Sequence, residues 1–273
     1  MTGFRADLHC HSRCSDGSLT PLELLEKAHQ IGLQGLSITD HDTIKAYDGE
    51  LFKKAEELGL ILCSGVEFSC QLKGVNVHIL GYGFDVTSKQ LQEFCMKHQK
   101  RRRERNLKIL LKLRQHQMVI TEEELESIPL VHVIGRPHIA ALMLQKGYVT
   151  SIKEAFDRYL GDGKCCFDQG GAFSVDETIT LIHQAGGKAF IAHPHLIKKS
   201  KIVKELLEKK FDGLEGYYAL FHKADNQRWV DRAQEKGWLI SGGSDFHGDL
   251  RPFIPLGASW VDEVTFQNII QKK

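Results

Sequence analysis

Long apolar runs are missing from this sequence, since no stretch reaches the roughly 18 consecutive apolar residues that a membrane-spanning helix needs. The first residues also lack the apolar core of a secretory signal peptide. The seven cysteines are odd in number and form no CxxC pair, which favours reduced thiols over a disulfide framework. Together these absences predict a cytoplasmic protein with no membrane partner.

A charge excess of one sign is missing too, because 36 Lys and Arg balance 35 Asp and Glu to a formal net charge of +1. Attraction to a polyanion must therefore come from a local patch. Apolar residues are plentiful at 42%, so a chain of 273 residues can form one large domain or a domain with an insertion. Histidine is unusually frequent: there are 14, and imidazole is the commonest metal ligand.

Short apolar runs alternate with helical patterns in two parts of the chain, which is typical of a parallel α/β sheet or barrel. The predicted strands are 4–8, 35–39, 61–68, 75–82, 188–192, 213–217 and 239–242. Between the two parts the pattern is helical without a convincing strand, and one long helix is predicted from 88 to about 116. We therefore expect an α/β barrel domain formed by 1–86 and 172–273, with a helical insertion domain at 87–171.

Most of the candidate histidines and acids lie at or just after the ends of these predicted strands, and His78 lies within the strand 75–82. In α/β barrels the residues just past the strand C-termini gather at one face, where active sites lie. Imidazole and carboxylate groups suit zinc, manganese or iron, and nine of them exceed the needs of one tetrahedral ion but fit two or three. The candidates are His9, His11, Asp16, His41, Glu67, His78, His193, Asp245 and His247.

Three divalent ions held by three carboxylates would leave a charge of about +3 in the cleft, which would attract phosphate oxygens. Water on such ions is acidified toward neutral pH, so hydrolysis would need no side-chain nucleophile. Any one of these histidines alone could instead be an ordinary hydrogen-bonded residue. The matching strand-end positions of His9, His11, Asp245 and His247 favour the metal site.

Seven short motifs contain these residues. They are Asp7-Leu-His-Cys-His-Ser12, Ser15-Asp-Gly17, Ile38-Thr-Asp-His-Asp42, Gly65-Val-Glu67, His78-Ile-Leu-Gly-Tyr82, Ala192-His-Pro194 and Ser244-Asp-Phe-His247. Their order resembles that of the PHP (polymerase and histidinol phosphatase) phosphoesterases, over residues 6–83 and about 174–247. The resemblance implies a distorted (β/α)7 TIM-like barrel with two or three divalent ions, manganese first and zinc or iron as alternatives.

The resemblance also implies how the ions are held. The first ion would be bound by His9, His11, Glu67 and Asp245, the second by Glu67, His78 and His193, and the third by Asp16, His41 and His247. A metal-bridged water positioned by Glu67 and Asp245 would attack the scissile phosphorus. Asp40 is expected to orient His41 or another ligand by a hydrogen bond, without binding an ion itself.

The helical insertion with Gly135-Arg-Pro-His138 resembles a subgroup that acts on nucleoside 3′,5′-bisphosphates and trims short RNA from its 5′ end. This implies a metal-dependent hydrolase of phosphoric ester bonds, with a nucleotide or short RNA as partner and no obligate protein partner. Two alternatives stay open. One is a phosphatase of another small metabolite such as histidinol phosphate, and the other is a non-catalytic RNA-binding module.

Substrate contacts are expected from the insertion. Arg136 presents a planar fork suited to phosphate, and the helix start at Pro137 directs backbone N–H groups and His138 toward an anion. Arg158 is a second candidate clamp, and His222 could face the cleft from a strand end. The basic run 97–114 is either a solvated helix face with an apolar stripe or a rim that guides RNA.

The remaining histidines and all the cysteines lack such a context, and we expect them to be structural. The histidines are His29, His98, His116, His132, His183 and His195.

Overall fold

The computed structural model describes residues 3–129 and 131–271. Its strands form one parallel sheet of three, in the order β1-β2-β3, and one mixed sheet of five, in the order β4-β5-β6-β7-β8. They are β1 (Ala6–Cys10), β2 (Gly35–Ile38), β3 (Ile61–Leu62), β4 (Gly65–Leu72), β5 (Val75–Tyr82), β6 (Lys188–Ile191), β7 (Gly213–Tyr218) and β8 (Leu239–Gly243). In the mixed sheet β5 runs antiparallel to both β4 and β6, and the other pairs are parallel.

Ten α-helices are found in the described part of the chain. They are α1 (Pro21–Gln30), α2 (Gly49–Glu57), α3 (Lys89–Gln115), α4 (Glu122–Glu126), α5 (Arg136–Gln145), α6 (Ile152–Ala155), α7 (Val175–Gln184), α8 (Ser200–Leu207), α9 (Lys223–Glu235) and α10 (Glu263–Ile270). A π-helical turn, Phe156–Leu160, continues α6. None of the helices described is long and apolar enough to cross a membrane.

Backbone hydrogen bonds connect the two sheets where the predicted ligands lie. The Asp245 N–H donates to the His9 carbonyl at 2.7 Å, and the Glu67 N–H donates to the Asp40 carbonyl at 3.2 Å. Within the described ranges, the strand ladders themselves stay in two separate sheets. The predicted α/β class is therefore confirmed, whereas a closed seven-stranded barrel is not seen in the ladders.

Local sequence signals explain several element boundaries. Thr20 caps α1 by accepting the Glu23 N–H at 3.2 Å, and Pro21 is the first helical residue, as predicted. The hairpin between β4 and β5 turns at Lys73 and Gly74, whose φ angles of 49° and 74° are typical of a two-residue turn.

Two predicted elements differ from the structure. The strand expected over 61–68 is split at Cys63 and Ser64, so that β3 joins the parallel sheet and β4 the mixed one. The second helix begins at Gly49 and not near residue 44, because Asp48 accepts the Leu51 N–H and caps it there.

The segment 87–171 contains helices α3 to α6 and no strand among its described residues. Ser88 caps α3 and His116 ends it, as the sequence predicts. Leu110 and Leu113 join an apolar cluster formed within this segment, distinct from the clusters around the sheets. The buried apolar face of α3 contains fewer leucines than expected, because Leu107 and Leu111 are 37% and 62% exposed.

Candidate metal centre

The nine predicted ligands converge at one place, although they come from six segments of the chain. Three groups of them each bring one nitrogen or oxygen per residue within 4.8 Å of one another. The groups are His9, His11, Glu67 and Asp245; His11, Asp16, His41 and His247; and His41, Glu67 and His78. The ninth residue, His193, places Nε2 2.8 Å from Glu67 Oε1. The tertiary fold thus creates a His/Asp/Glu cluster suited to several ions.

Glu67 lies at the centre of the cluster, almost fully buried on β4. Its Oε1 is 2.7 Å from His78 Nδ1 and 2.8 Å from His193 Nε2. Its Oε2 is within 3.2–3.3 Å of ring nitrogens on three further histidines, which are His9, His11 and His41. One carboxylate shared by five imidazoles is the arrangement expected of a bridging metal ligand.

Two aspartates extend the cluster on either side of His11. Asp245 Oδ1 is 3.2 Å from His11 Nε2 and 3.4 Å from His9 Nε2. Asp16 Oδ1 is 3.5 Å from His247 Nε2 and 3.8 Å from His11 Nδ1. The five side chains therefore form a continuous row of possible ligand atoms.

The hydrogen-bond partners of the histidine ring nitrogens show whether metal ions fit this cluster. His11 Nδ1, His11 Nε2, His41 Nδ1 and His247 Nε2 are buried and have no hydrogen-bond partner. Buried polar atoms without a partner are unusual in a folded protein and require an explanation. Imidazole and carboxylate groups that converge while several ring nitrogens lack a hydrogen-bond partner fit divalent ions such as Mn²⁺, Zn²⁺ or Fe²⁺.

The protonation of these groups reflects their burial and the shared carboxylates. Burial opposes charging of His11, yet the neighbouring carboxylates of Asp245 and Glu67 raise its pKa to about 9. Burial lowers the pKa of His41 to about 3. Burial would raise the pKa of Glu67, but the surrounding histidines hold it well below its usual range. The carboxylates are therefore ionised and ready to bind cations.

Comparison with known proteins agrees with this geometry. The PHP domain family model matches residues 7–233, which is more than half of the chain. The chain belongs to the PHP family. A 5′-3′ exoribonuclease of Haemophilus influenzae is 34% identical over 246 residues, covering 88% of this chain and 89% of that protein. A 3′,5′-nucleoside bisphosphate phosphatase of Chromobacterium violaceum is 29% identical, covering 88% and 86%.

A solved structure confirms the fold of this PHP protein. It is the crystal structure of a protein from Bifidobacterium adolescentis assigned as a metal-dependent phosphoesterase, which superposes with a TM-score of 0.86 at 28% identity and covers 97% of this chain and 95% of its own. The chain is therefore a hydrolase, a metal-dependent phosphoesterase of the PHP family.

Residues outside the predicted set hold the candidate ligands in place. Glu215 is fully buried on β7, where it accepts from His9 Nδ1 at 2.9 Å and from the His193 N–H at 2.7 Å. Tyr218 donates to Asp245 Oδ2 at 2.7 Å, and Arg251 donates to the same oxygen at 2.5 Å. A charged residue inside a predicted strand was the available signal for Glu215, whereas nothing in the sequence indicated Arg251.

Asp40 hydrogen-bonds the loop that carries two other candidate ligands and not His41. Its Oδ1 accepts the Ser12 N–H at 2.8 Å and the Ser15 hydroxyl at 2.6 Å, and its Oδ2 accepts the Ser12 hydroxyl at 2.5 Å. It therefore fixes the loop that carries His11 and Asp16 and makes no hydrogen bond to His41 in the structure.

The ligand segments also carry strained backbone. Asp42, His193 and Asp245 have φ angles of 56°, 26° and 56°, in the left-handed region that non-glycine residues rarely adopt. Such strain persists where the surrounding structure fixes it, and it is concentrated at functional sites.

A cavity of about 700 Å³ opens beside the His/Asp/Glu cluster and is lined by Asp16, His41, His78 and His193. Arginines line it as well, namely Arg101, Arg102, Arg105, Arg136 and Arg251. The structure thus brings the predicted Arg136 to the site. It also turns three arginines of the basic run inward, whereas Arg103 is 64% exposed and pairs with Glu122 and Glu126.

The other predicted substrate contacts are not among the residues that line this cavity. His138 is buried and accepts the Gly135 N–H through Nδ1 at 3.0 Å, which caps α5. Arg158 is 58% exposed and donates to Glu154 at 2.5 Å. His222 is exposed at the start of α9. Contacts within the protein thus hold the side chains of His138 and Arg158.

Proposed function

We propose that this protein hydrolyses phosphate esters of nucleoside 3′,5′-bisphosphates and of short RNA with a 5′ phosphate. The observation that carries the proposal is the arginine cluster in the same cavity as the metal ligands. A substrate with one phosphate at the metals and another at the arginines would match both parts. The names of the relatives in Haemophilus influenzae and Chromobacterium violaceum support the same substrate class.

The arginines of the cavity face one another, and their positive charge favours binding of a second phosphate there in addition to the one at the candidate metal site. Burial and the neighbouring guanidinium groups of Arg102, Arg136 and Arg101 hold the pKa of Arg105 well below its usual range. Its Nε has no hydrogen-bond partner. Arg136 is partly neutralised by Asp162, at 2.7 Å. A phosphate between these side chains would supply the missing negative charge and accept their free N–H groups.

The nine ligands would hold two or three divalent ions, with manganese first and zinc or iron as alternatives. When bound, such ions acidify water and polarise phosphoryl oxygens. The protein's own groups set the geometry around them. Glu215 accepts a hydrogen bond from Nδ1–H of His9. The other ring nitrogen, Nε2, is then directed at Glu67 and Asp245. Tyr218 and Arg251 bond Oδ2 of Asp245, which leaves Oδ1 facing His9 and His11.

We also propose that the two sheets are parts of one distorted barrel, into which residues 87–171 are inserted as a helical domain. The hydrogen bonds from Asp245 to His9 and from Glu67 to Asp40 support the first statement. The separate apolar cluster of the helical segment supports the second.

A substrate panel with added Mn²⁺ tests the proposed activity. A nucleoside 3′,5′-bisphosphate, a 5′-phosphorylated RNA oligomer and histidinol phosphate are compared by phosphate or nucleotide release. We expect kcat/KM to be at least about tenfold higher for the first two, because only they can place a second phosphate on the arginines. Preference for histidinol phosphate would contradict the proposal and support the metabolite phosphatase.

The non-catalytic alternative is tested with the same RNA. A pure binding module would retain RNA after chelation of the ions and would show no hydrolysis with any of the three compounds. We expect the opposite, which is turnover with metal and none after chelation.

A further inference from the structure

A second group of metal-binding side chains lies in the helical segment, away from the cluster described above. It consists of His116, which follows α3, and of Cys165 and Cys166 in the loop 161–169. One ring nitrogen and the two sulfur atoms all lie within 4.8 Å of one another. Cys166 is fully buried, whereas Cys165 and His116 are exposed, so the group is open to solvent on one side.

The distance between the two sulfur atoms fits one tetrahedral ion. Zinc–sulfur bonds of about 2.3 Å at a tetrahedral angle separate two sulfurs by about 3.8 Å. The Sγ atoms of Cys165 and Cys166 are 3.8 Å apart. A disulfide fits less well, because neighbouring Cα atoms are about 3.8 Å apart and disulfides usually need about 4.4–6.8 Å.

The donor set also selects the kind of ion. Two thiols and an imidazole favour soft or borderline cations such as Zn²⁺ and Cd²⁺ over Mg²⁺ or Mn²⁺. We propose that His116, Cys165 and Cys166 bind one thiophilic divalent cation of the Zn²⁺ class, with water as the fourth ligand.

The position of this site connects it with the catalytic cavity. Phe167, directly after Cys166, lines that cavity, and its ring lies 5.3 Å from the Arg136 guanidinium. Asp162 in the same loop pairs with Arg136. An ion held between α3 and this loop would fix the wall of the cavity that positions Arg136.

Cadmium absorption provides a direct test, because cadmium–thiolate bonds absorb in the ultraviolet and the nine-residue cluster contains no cysteine. The Mn²⁺-loaded enzyme is titrated with Cd²⁺ under a phosphine reductant. We expect one thiolate-bound Cd²⁺ per chain in the native protein. The Cys165→Ser/Cys166→Ser variant should lose the band, and His116→Ala should bind Cd²⁺ at least about tenfold more weakly.

Matched controls separate the site from other groups. His29→Ala removes another exposed histidine near a helix end, and Cys63→Ser removes a buried thiol elsewhere; both should keep the band and its affinity. Circular dichroism and thermal melting verify folding of each variant. The proposal is overturned if the native protein gives no thiolate band, if the band survives in the double variant, or if His116→Ala binds as tightly as the native protein.

Discussion

At the scale of single residues, the centre depends on side chains that bind no metal themselves. Glu215 contacts two ligand residues: it accepts from the His9 ring and from the His193 backbone N–H. If Glu215 were uncharged, it would stabilise less the His9 tautomer that is protonated on Nδ1 and leaves Nε2 free for an ion. The ligand set is thus only part of what the site requires.

The substitution Glu215→Gln tests this dependence. We expect metal affinity or kcat/KM to fall by about 10–100-fold, because the amide is a weaker acceptor for the imidazole N–H. Calorimetric titration with Mn²⁺ and initial rates provide the measurements. The control is Glu208→Gln, which changes a carboxylate that is 80% exposed and should have no effect. Equal losses in both variants would contradict the role of Glu215.

At the scale of elements, α3 joins the helical segment to the sheets through buried charges. Asp42 is fully buried and lies 3.0 Å from His98 Nδ1 and 2.5 Å from Arg102 Nε. It also accepts the Ser69 N–H at 2.7 Å. His98 was expected to be structural, and the structure places its ring beside Asp42 and stacked on Phe173.

The substitution Asp42→Asn should lower the free energy of unfolding by about 3–5 kcal/mol, since it leaves Arg102 buried without its counter-charge. Asparagine tolerates the φ angle of 56° at this position, so the loss reports the charge and not backbone strain. Urea denaturation measures the change. A loss below about 1 kcal/mol would show that this buried pair does not stabilise the junction.

The same helix presents arginines on two faces with different surroundings. Arg105 faces other arginines in the cavity, whereas Arg103 pairs with two glutamates outside it. We expect Arg105→Met to raise KM for a nucleoside 3′,5′-bisphosphate by at least about tenfold and to raise the melting temperature, because it removes repulsion between like charges.

Arg103→Met is the matched control and should change KM by less than about twofold, because Arg103 does not face the cavity. Thermal melting and steady-state kinetics decide the outcome. A normal KM in the Arg105 variant would remove this arginine from the substrate site.

At the scale of the whole molecule, bound ions contribute to stability. An ion present at about 100 times its Kd stabilises the folded state by about 2.7 kcal/mol. The ligands come from six segments, so this free energy opposes separation of both sheets. Chelation should therefore lower the melting temperature of the entire domain, and adding Mn²⁺ should restore it.

Metal binding should also release protons. The pKa of His11 is about 9 in the absence of ions, so this residue is protonated at pH 7 and must lose its proton to bind a cation. We expect Mn²⁺ affinity to rise between pH 6 and about 9. Calorimetry in two buffers with different ionisation enthalpies measures the protons released. An affinity independent of pH across this range would contradict the prediction.

The nine candidate ligands, the family and most element positions can be read from the sequence alone, because each motif is a short run of residues at or near a predicted strand. Capping residues such as Thr20 and Ser88 are equally local, so α1 and α3 were correctly predicted. Their geometry depends on neighbours within a few positions, which a sequence displays directly.

Which residues support the candidate ligands and face the cavity depends on contacts between distant parts of the chain. His9 and Glu215 are 206 positions apart, and no local pattern connects them. Arg101, Arg103 and Arg105 look alike in the basic run, yet their directions depend on what α3 packs against. The split of the strand at Cys63 and Ser64 likewise follows from pairing with distant strands. Such contacts arise from packing across the whole fold, and hydrophobic periodicity carries no information about them.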